Sequence, residues 1–239
     1  MSYQSVKLLD NIHCYLWQGF GNNCHSYLLR DLLPGDRPHV LVDPGHVVNH
    51  FGERCLDLLL DAMARDGIAP PAVGLVINTH AHPDHCEATA FFTQEAGALA
   101  ALSRAEERHR TTTGQTVYRA LGLSSGPQFT PFFYLDEGEL RLGSTVLRVL
   151  LTPGHTPGSV CLYWPELRVL ITGDVIFYGS VGRVDLPGGS LTALKESIER
   201  LAGLDVEYLL PGHSTEYGAL VRGREEVERN FHSVRWLFY

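Results

Sequence analysis

Thr79-His80-Ala81-His82-Pro83-Asp84-His85 gathers three imidazoles and a carboxylate between His80 and His85, directly after the apolar run Val73-Gly74-Leu75-Val76-Ile77. That is the pattern of a metal turn at the end of a buried strand. In extended backbone alternate residues point the same way, so His80 and His82 can reach one ion while Pro83 keeps His82 out of the helical region. Asp84 and His85 then open a helix. Two ligands off a strand end and two off the following first turn suit two adjacent ions better than one. The competing reading is a polar loop with Asp84 as a helix N-cap. The density of histidine argues against it, as do the ligand-type turns that follow.

The 239 residues carry no Pro/Gly/Ser-rich linker or charge block, so a single domain over residues 1–239 is expected. With 44% apolar residues the chain can build a substantial core, and no 18-residue apolar stretch suggests a membrane span. Met1 to Asp10 show neither a basic n-region nor an apolar h-region, which points to a cytoplasmic protein. Five cysteines, odd in number and without a CxxC pair, fit reduced thiols. The net charge of −8 disfavours nucleic acid, whose partners usually show a basic face, and favours a small-molecule substrate. Self-association stays open.

Upstream of the metal turn, Val6-Leu9, His13-Trp17, Ser26-Leu29 and Val40-Val42 read as strands, the last ending in Asp43-Pro44-Gly45. Leu56, Leu59, Leu60 and Met63 put an apolar stripe on a helix from Glu53 to Arg65. Downstream, one helix is expected through Ala88, Phe91 and Phe92 to Glu95, then a strand Ala98-Leu102. Ser103 to Ser125 reads as a polar helical excursion with breaks at Gly114 and Gly122. Gln128-Leu135, Leu140-Leu142 and Thr145-Leu151 read as strands, the last two joined through Gly143-Ser144.

Three more turns offer ligands. Thr152-Pro153-Gly154-His155-Thr156-Pro157-Gly158-Ser159 holds its imidazole between two Pro-Gly pairs. Arg168-Thr172 is a strand that ends at Gly173-Asp174. Val206-Leu210 is a strand that ends at Pro211-Gly212-His213-Ser214, after an amphipathic helix Leu191-Ala202. A charged helix from about Leu220 closes the chain, and its aromatic tail Trp236-Leu237-Phe238-Tyr239 is expected to pack. His46 and His50 lack a ligand spacing, and Cys86 reads as a small buried residue.

With ligands confined to strand-end turns in both halves, the expected architecture is α/β (α+β), a four-layer αββα sandwich. The HxHxDH turn, the TPGHTPGS turn, Thr172-Gly173-Asp174 and Pro211-Gly212-His213 together resemble the metallo-β-lactamase superfamily. That resemblance implies His80, His82 and His155 on a first metal, Asp84, His85 and His213 on a second, and Asp174 between them. Asp84 and His213 are thereby also implied as catalytic. Two divalent ions about 3.5–4 Å apart can share a water, lower its pKa and polarise the oxygen of the attacked group. Zinc suits the imidazole and carboxylate set, and iron or manganese fit it too.

Asp174 discriminates within the superfamily, because many true β-lactamases carry Cys or no bridging carboxylate there. The set looks more like glyoxalase II-like (hydroxyacylglutathione hydrolase-like) enzymes, and Gly182-Arg183-Val184-Asp185-Leu186-Pro187-Gly188-Gly189 is similar to their GRxDxPxG segment. Arg183 is then either a substrate contact or the partner of Asp185. The family's long C-terminal helical domain, which binds glutathione, has no counterpart in the sequence. The resemblance thus implies a dinuclear metal-dependent hydrolase of a small thioester or ester. The alternatives are a mononuclear-iron persulfide dioxygenase of the same fold, a lactonase or a phosphodiesterase.

Overall fold

The computed structural model describes residues 2–120 and 126–238. The chain divides into two compact units, neither continuous in sequence. The first comprises Met1–Leu102, Ser125–Tyr134 and Leu142–Thr145, and the second Ser103–Ser124, Leu135–Arg141 and Val146–Tyr239.

The first unit is built on a seven-stranded sheet whose order follows the chain. Its strands are β1 (Tyr3–Leu9), β2 (Ile12–Trp17), β3 (Ser26–Leu29), β4 (His39–Val42), β5 (Val73–Ile77), β6 (Leu99–Ser103) and β7 (Phe133–Leu135). β1 to β4 run antiparallel, whereas β4, β5 and β6 are parallel. The central strands are buried on both faces, which is why they read as continuous apolar runs. Helix α1 (Cys55–Arg65) crosses over from β4 to β5 and seats Leu56, Leu59, Ala62 and Met63 in a core with Tyr15, Leu28, Leu41 and Val76.

After β5 come two short helices, α2 (Pro83–Cys86) and α3 (Thr89–Gln94), where the sequence pattern predicts a single one. The break has a cause: the Ala88 amide donates to Gly45 O at 2.9 Å, and the Glu87 carboxylate is drawn to His46 Nδ1 at 2.8 Å. The strand expected from Gln128 shrinks to β7. Pro127 and Pro131 have no amide hydrogen to give a ladder, and pairing with β6 begins only where Phe132 N reaches Ala100 O at 2.8 Å.

In the second unit, α4 (Arg104–Thr111) and α5 (Gly114–Ala120) form the expected polar helical excursion, with the break before Gly114; Gly122 lies outside the described residues. A six-stranded sheet follows, formed by β8 (Gly138–Leu142), β9 (Thr145–Leu151), β10 (Val160–Trp164), β11 (Val169–Gly173), β14 (Tyr208–Pro211) and β15 (Val221–Arg222), in the order β15-β14-β11-β10-β9-β8. β12 (Ile176–Phe177) and β13 (Ser180–Val181) make a separate ribbon. Helix α6 (Leu191–Leu201) connects the parallel pair β11 and β14. Its Leu194, Ile198 and Leu201 share a core with Val227, Phe231 and Val234 of α7 (Arg224–Arg235).

α7 starts four residues later than its composition suggests, because Gly223 turns at φ +91° and Val221–Arg222 pairs with β14. The aromatic tail departs from expectation. Phe238 packs partly on the core, but Trp236 and Leu237 stay 67% and 57% exposed. No helix among the described residues is long and apolar enough to cross a membrane.

Candidate metal centre

In the first unit the parallel register Val42↔Ile77 sets Asp43 beside the start of the metal turn. Thr79 N donates to Asp43 Oδ1 at 2.7 Å and Thr79 Oγ1 to Asp43 Oδ2 at 2.6 Å, so the turn is locked at its first residue. His80, His82, Asp84 and His85 are all buried. The ring of His80 lies 4.8 Å from that of His82 and 4.1 Å from that of His85, and His85 Nε2 is 3.7 Å from Asp84 Oδ2. Asp84 sits inside the first turn of α2, whose N-cap is His82, so the N-cap alternative for Asp84 is not what the turn does.

Hydrogen bonds at Nδ1 fix which nitrogen can ligate. His85 Nδ1 lies 2.9 Å from Asp43 Oδ2, and an ionised carboxylate only accepts, so the proton sits on Nδ1 and the lone pair on Nε2. Thr79 gives its hydroxyl hydrogen to Asp43, which leaves Oγ1 to accept from His80 Nδ1 at 3.1 Å. One carboxylate thereby sets the tautomer of two imidazoles. On Asp84, Oδ2 accepts from Asn22 Nδ2 at 2.7 Å.

The second unit uses the same device. Parallel pairing of Gly173 with Pro211, and the Gly212 N to Gly173 O bond at 2.8 Å, bring Asp174 and His213 off neighbouring strand ends. β10 is antiparallel to β11, so the turn that leads into it, closed by Thr152 N to Ser159 O at 2.8 Å, lies at the same edge. Asp174 Oδ2 is 3.6 Å from His155 Nε2, and Oδ1 is 3.4 Å from His213 Nε2. His155 Nδ1 donates to the carbonyl of Arg183 at 2.7 Å, which again leaves the lone pair on Nε2.

The His155 turn is rigid because its two glycines touch helices. A Cβ on Gly154 would come within 2.4 Å of Leu194 Cα in α6, and one on Gly158 within 2.2 Å of Glu106 N in α4. Only glycine allows that approach. Glu106, fully buried, accepts from Thr156 Oγ1 at 2.8 Å and Gly158 N at 3.0 Å.

Arg183 makes a bidentate pair with Asp185, Nε to Oδ1 and Nη2 to Oδ2 both at 2.7 Å, on the exposed surface. Those bonds hold the Asp185 carboxyl down at about 2. Cys86 is buried in a small cluster with Ala81, Ala100, Leu102 and Phe129.

Sequence reasoning named the donors but missed the residues that aim them. Asp43 was visible only as a turn former. Glu106 stood in a Ser103-x-x-Glu106 capping box, a legible signal; Ser103 Oγ does accept from Glu106 N at 3.1 Å, but the carboxylate turns to the His155 turn instead. Nothing in the sequence marks Asn22.

Strand-end imidazoles and carboxylates, with the Nε2 lone pairs of His80, His85 and His155 fixed by their Nδ1 bonds, are the donor chemistry of a metallo-hydrolase. The chain belongs to the metallo-beta-lactamase superfamily, whose family model matches residues 19–213. A probable metallo-hydrolase of Methanocaldococcus jannaschii is 32% identical over 82% of this chain and 89% of its own length. The acyl-coenzyme A thioesterase MBLAC2 of Gallus gallus is 32% identical over 83% of this chain and 75% of its own. The solved structure of TTHA1623 in a di-iron-bound form is 30% identical, covers 82% of this chain and 93% of its own, and superposes with a TM-score of 0.65. The chain is a metal-dependent hydrolase with the mixed α/β fold of that superfamily, as its motifs imply.

Proposed function

We propose that the chain is a dinuclear hydrolase of acyl thioesters, with His80, His82 and His155 on one ion, Asp84, His85 and His213 on the other, and Asp174 shared. The observation that carries the reading is Asp174. One carboxylate turns Oδ2 toward His155 and Oδ1 toward His213, at 3.6 and 3.4 Å, so each oxygen serves an imidazole assigned to a different ion. The donors fit zinc, with iron and manganese accepted by the same set; TTHA1623 was solved with two irons.

Bound ions would acidify a water and polarise the acyl oxygen. The chain's own residues then have defined tasks. Asp43, through His85 directly and His80 by way of Thr79, keeps Nε2 lone pairs presented. The Arg183 carbonyl does the same for His155, and Asn22 orients Asp84. The acyl-coenzyme A thioesterase relative supports a thioester as the group attacked.

Two measurements test this. Elemental analysis of protein purified without chelator should approach two divalent ions per chain, and saturation at one would remove the shared carboxylate. Thioester cleavage should be lost in Asp174→Ala. Oxygen uptake with glutathione persulfide, without thioester cleavage, would replace the hydrolase by an iron dioxygenase.

A further inference from the structure

Two loops of the first unit carry large apolar side chains into solvent. Phe20, between β2 and β3, is 79% exposed; in the segment between β4 and α1, Phe51 is 65%, Val48 47% and Val47 38% exposed. Such side chains gather where an apolar partner binds.

These loops are held in place by a buried carboxylate. Glu53 Oε1 accepts from Phe20 N at 3.0 Å, and Oε2 accepts from Gly21 N and Asn49 Nδ2, each at 2.7 Å. Asn49 Oδ1 in turn accepts from Phe51 N at 3.1 Å. Three hydrogen bonds in series therefore tie the backbone of Phe20 to that of Phe51. Burial pushes the Glu53 carboxyl up, but the bonds from Asn49, Gly21 and Phe20 outweigh it and leave it below its ordinary value. The charged clamp persists at neutral pH.

Both loops are also fastened to the metal turn. Asn22, two residues after Phe20, donates to Asp84, and Cys24 N donates to Asp84 O at 3.2 Å. On the other side Gly45 N donates to His85 O at 3.0 Å, and both His46 Nδ1 and Val47 N reach Glu87 Oε2, at 2.8 and 3.0 Å. The loops that carry the apolar groups are thus hydrogen-bonded to the turn that presents Asp84 and His85.

We propose that Phe20, Val47, Val48 and Phe51 form an apolar lip that binds the aliphatic chain of the acyl group, making the protein selective for longer acyl thioesters. The occupant follows from the position: a lip with four hydrocarbon side chains and a backbone fixed to the metal turn suits the hydrocarbon end of a substrate whose carbonyl lies at that turn. The substrate class rests on the thioester reading. The lip itself does not.

The experiment varies only the acyl chain, using acetyl, butyryl, hexanoyl and octanoyl thioesters of N-acetylcysteamine with the metal-loaded full chain. Fully burying a methylene is worth up to about fourfold, so the octanoyl-to-acetyl ratio of kcat/KM should rise by at least tenfold. Within each variant the ratio cancels any general loss of activity. It should collapse several-fold in Phe20→Ser and Phe51→Ser and stay at the wild-type value in Leu191→Ser, which alters an exposed apolar residue at the start of α6. A flat ratio in the wild type, or a steep one in both phenylalanine variants, overturns the lip. If no thioester is cleaved, the hydrolase reading fails alone, and the lip is decided by calorimetric binding of the matching uncleavable S-alkyl thioethers. Tighter binding with chain length, lost in the same variants, supports it, and length-independent binding overturns it.

Discussion

Replacing Asp43 by Asn separates metal affinity from folding. The carboxylate accepts from Thr79 N, Thr79 Oγ1 and His85 Nδ1 at 2.7, 2.6 and 2.9 Å, and Asp43 adopts φ +52°. Alanine would orphan three buried donors at about 1–3 kcal/mol each, and would add about 1 kcal/mol for the left-handed backbone. Even with half of that recovered by relaxation, the loss of about 2–5 kcal/mol is a large share of the roughly 5–15 kcal/mol that holds a domain. Asparagine tolerates the backbone and keeps one acceptor for Thr79 N. Its NH₂, however, faces His85 Nδ1, so the ring must shift its proton to Nε2 and give up the lone pair that ligates. We expect an apo-protein stability loss of only about 1–3 kcal/mol in denaturant, but metal affinity weaker by about 10–100-fold in a competition titration with a chromophoric chelator. Unchanged affinity together with lowered stability would refute the tautomer argument.

Glu106→Ala should cost about 2–4 kcal/mol, because a buried amide and hydroxyl lose their acceptor, and should speed amide exchange at Gly158. Exchange as slow as in the wild type would mean that the glycine contacts alone hold the turn. The Asp185 carboxyl should titrate near 2 by NMR and return toward 3.8 in Arg183→Gln. Since its folded value is depressed, whatever the pair contributes is present above pH 3.8 and fades as pH falls through about 2; an unchanged midpoint in the variant would rule out the guanidinium as the cause. All five cysteines are buried, and burial pushes the Cys55 and Cys161 thiols up to about 12. At pH 8 the thiolate of either is about one part in ten thousand, so a thiol reagent should find both silent until the protein unfolds; rapid native labelling of either would contradict the packing.

The donors were legible because ligand chemistry leaves a local trace: His80, His82, Asp84 and His85 stand together, and His155, Asp174 and His213 each end or precede an apolar run. What aims them was not, because it depends on register. Asp43 meets Thr79 only once β4 and β5 pair in parallel, thirty-six residues apart in sequence. Glu106 shows the complementary failure, since a capping-box pattern describes the helix end and is silent on a turn fifty residues downstream. The aromatic run from Gln128 looks like a strand because composition counts apolar side chains, whereas the ladder needs the amide that Pro131 lacks, and the strand is confined to Phe133–Leu135. Trp236 and Leu237 show that a hydrophobic tail need not find cover in its own chain.

Backbone contact fixes the His155 turn, whereas side chains fix the loops that carry Phe20 and Phe51, and the two tolerate change differently. Residues 152–159 admit no added atom at Gly154 or Gly158 without moving a helix. The loops at residues 18–22 and 46–52 hang on side chains: Glu53 and Asn49 join them, Asn22 reaches Asp84, His46 reaches Glu87, and a Cβ on Gly19 or Gly21 would meet only the side chains of Trp17, Glu53 and Asn49. A library aimed at new acyl selectivity should therefore vary Phe20, Val47, Val48 and Phe51 around unaltered Gly19, Gly21, Asn22, His46, Asn49 and Glu53, and leave the glycine-flanked turn alone.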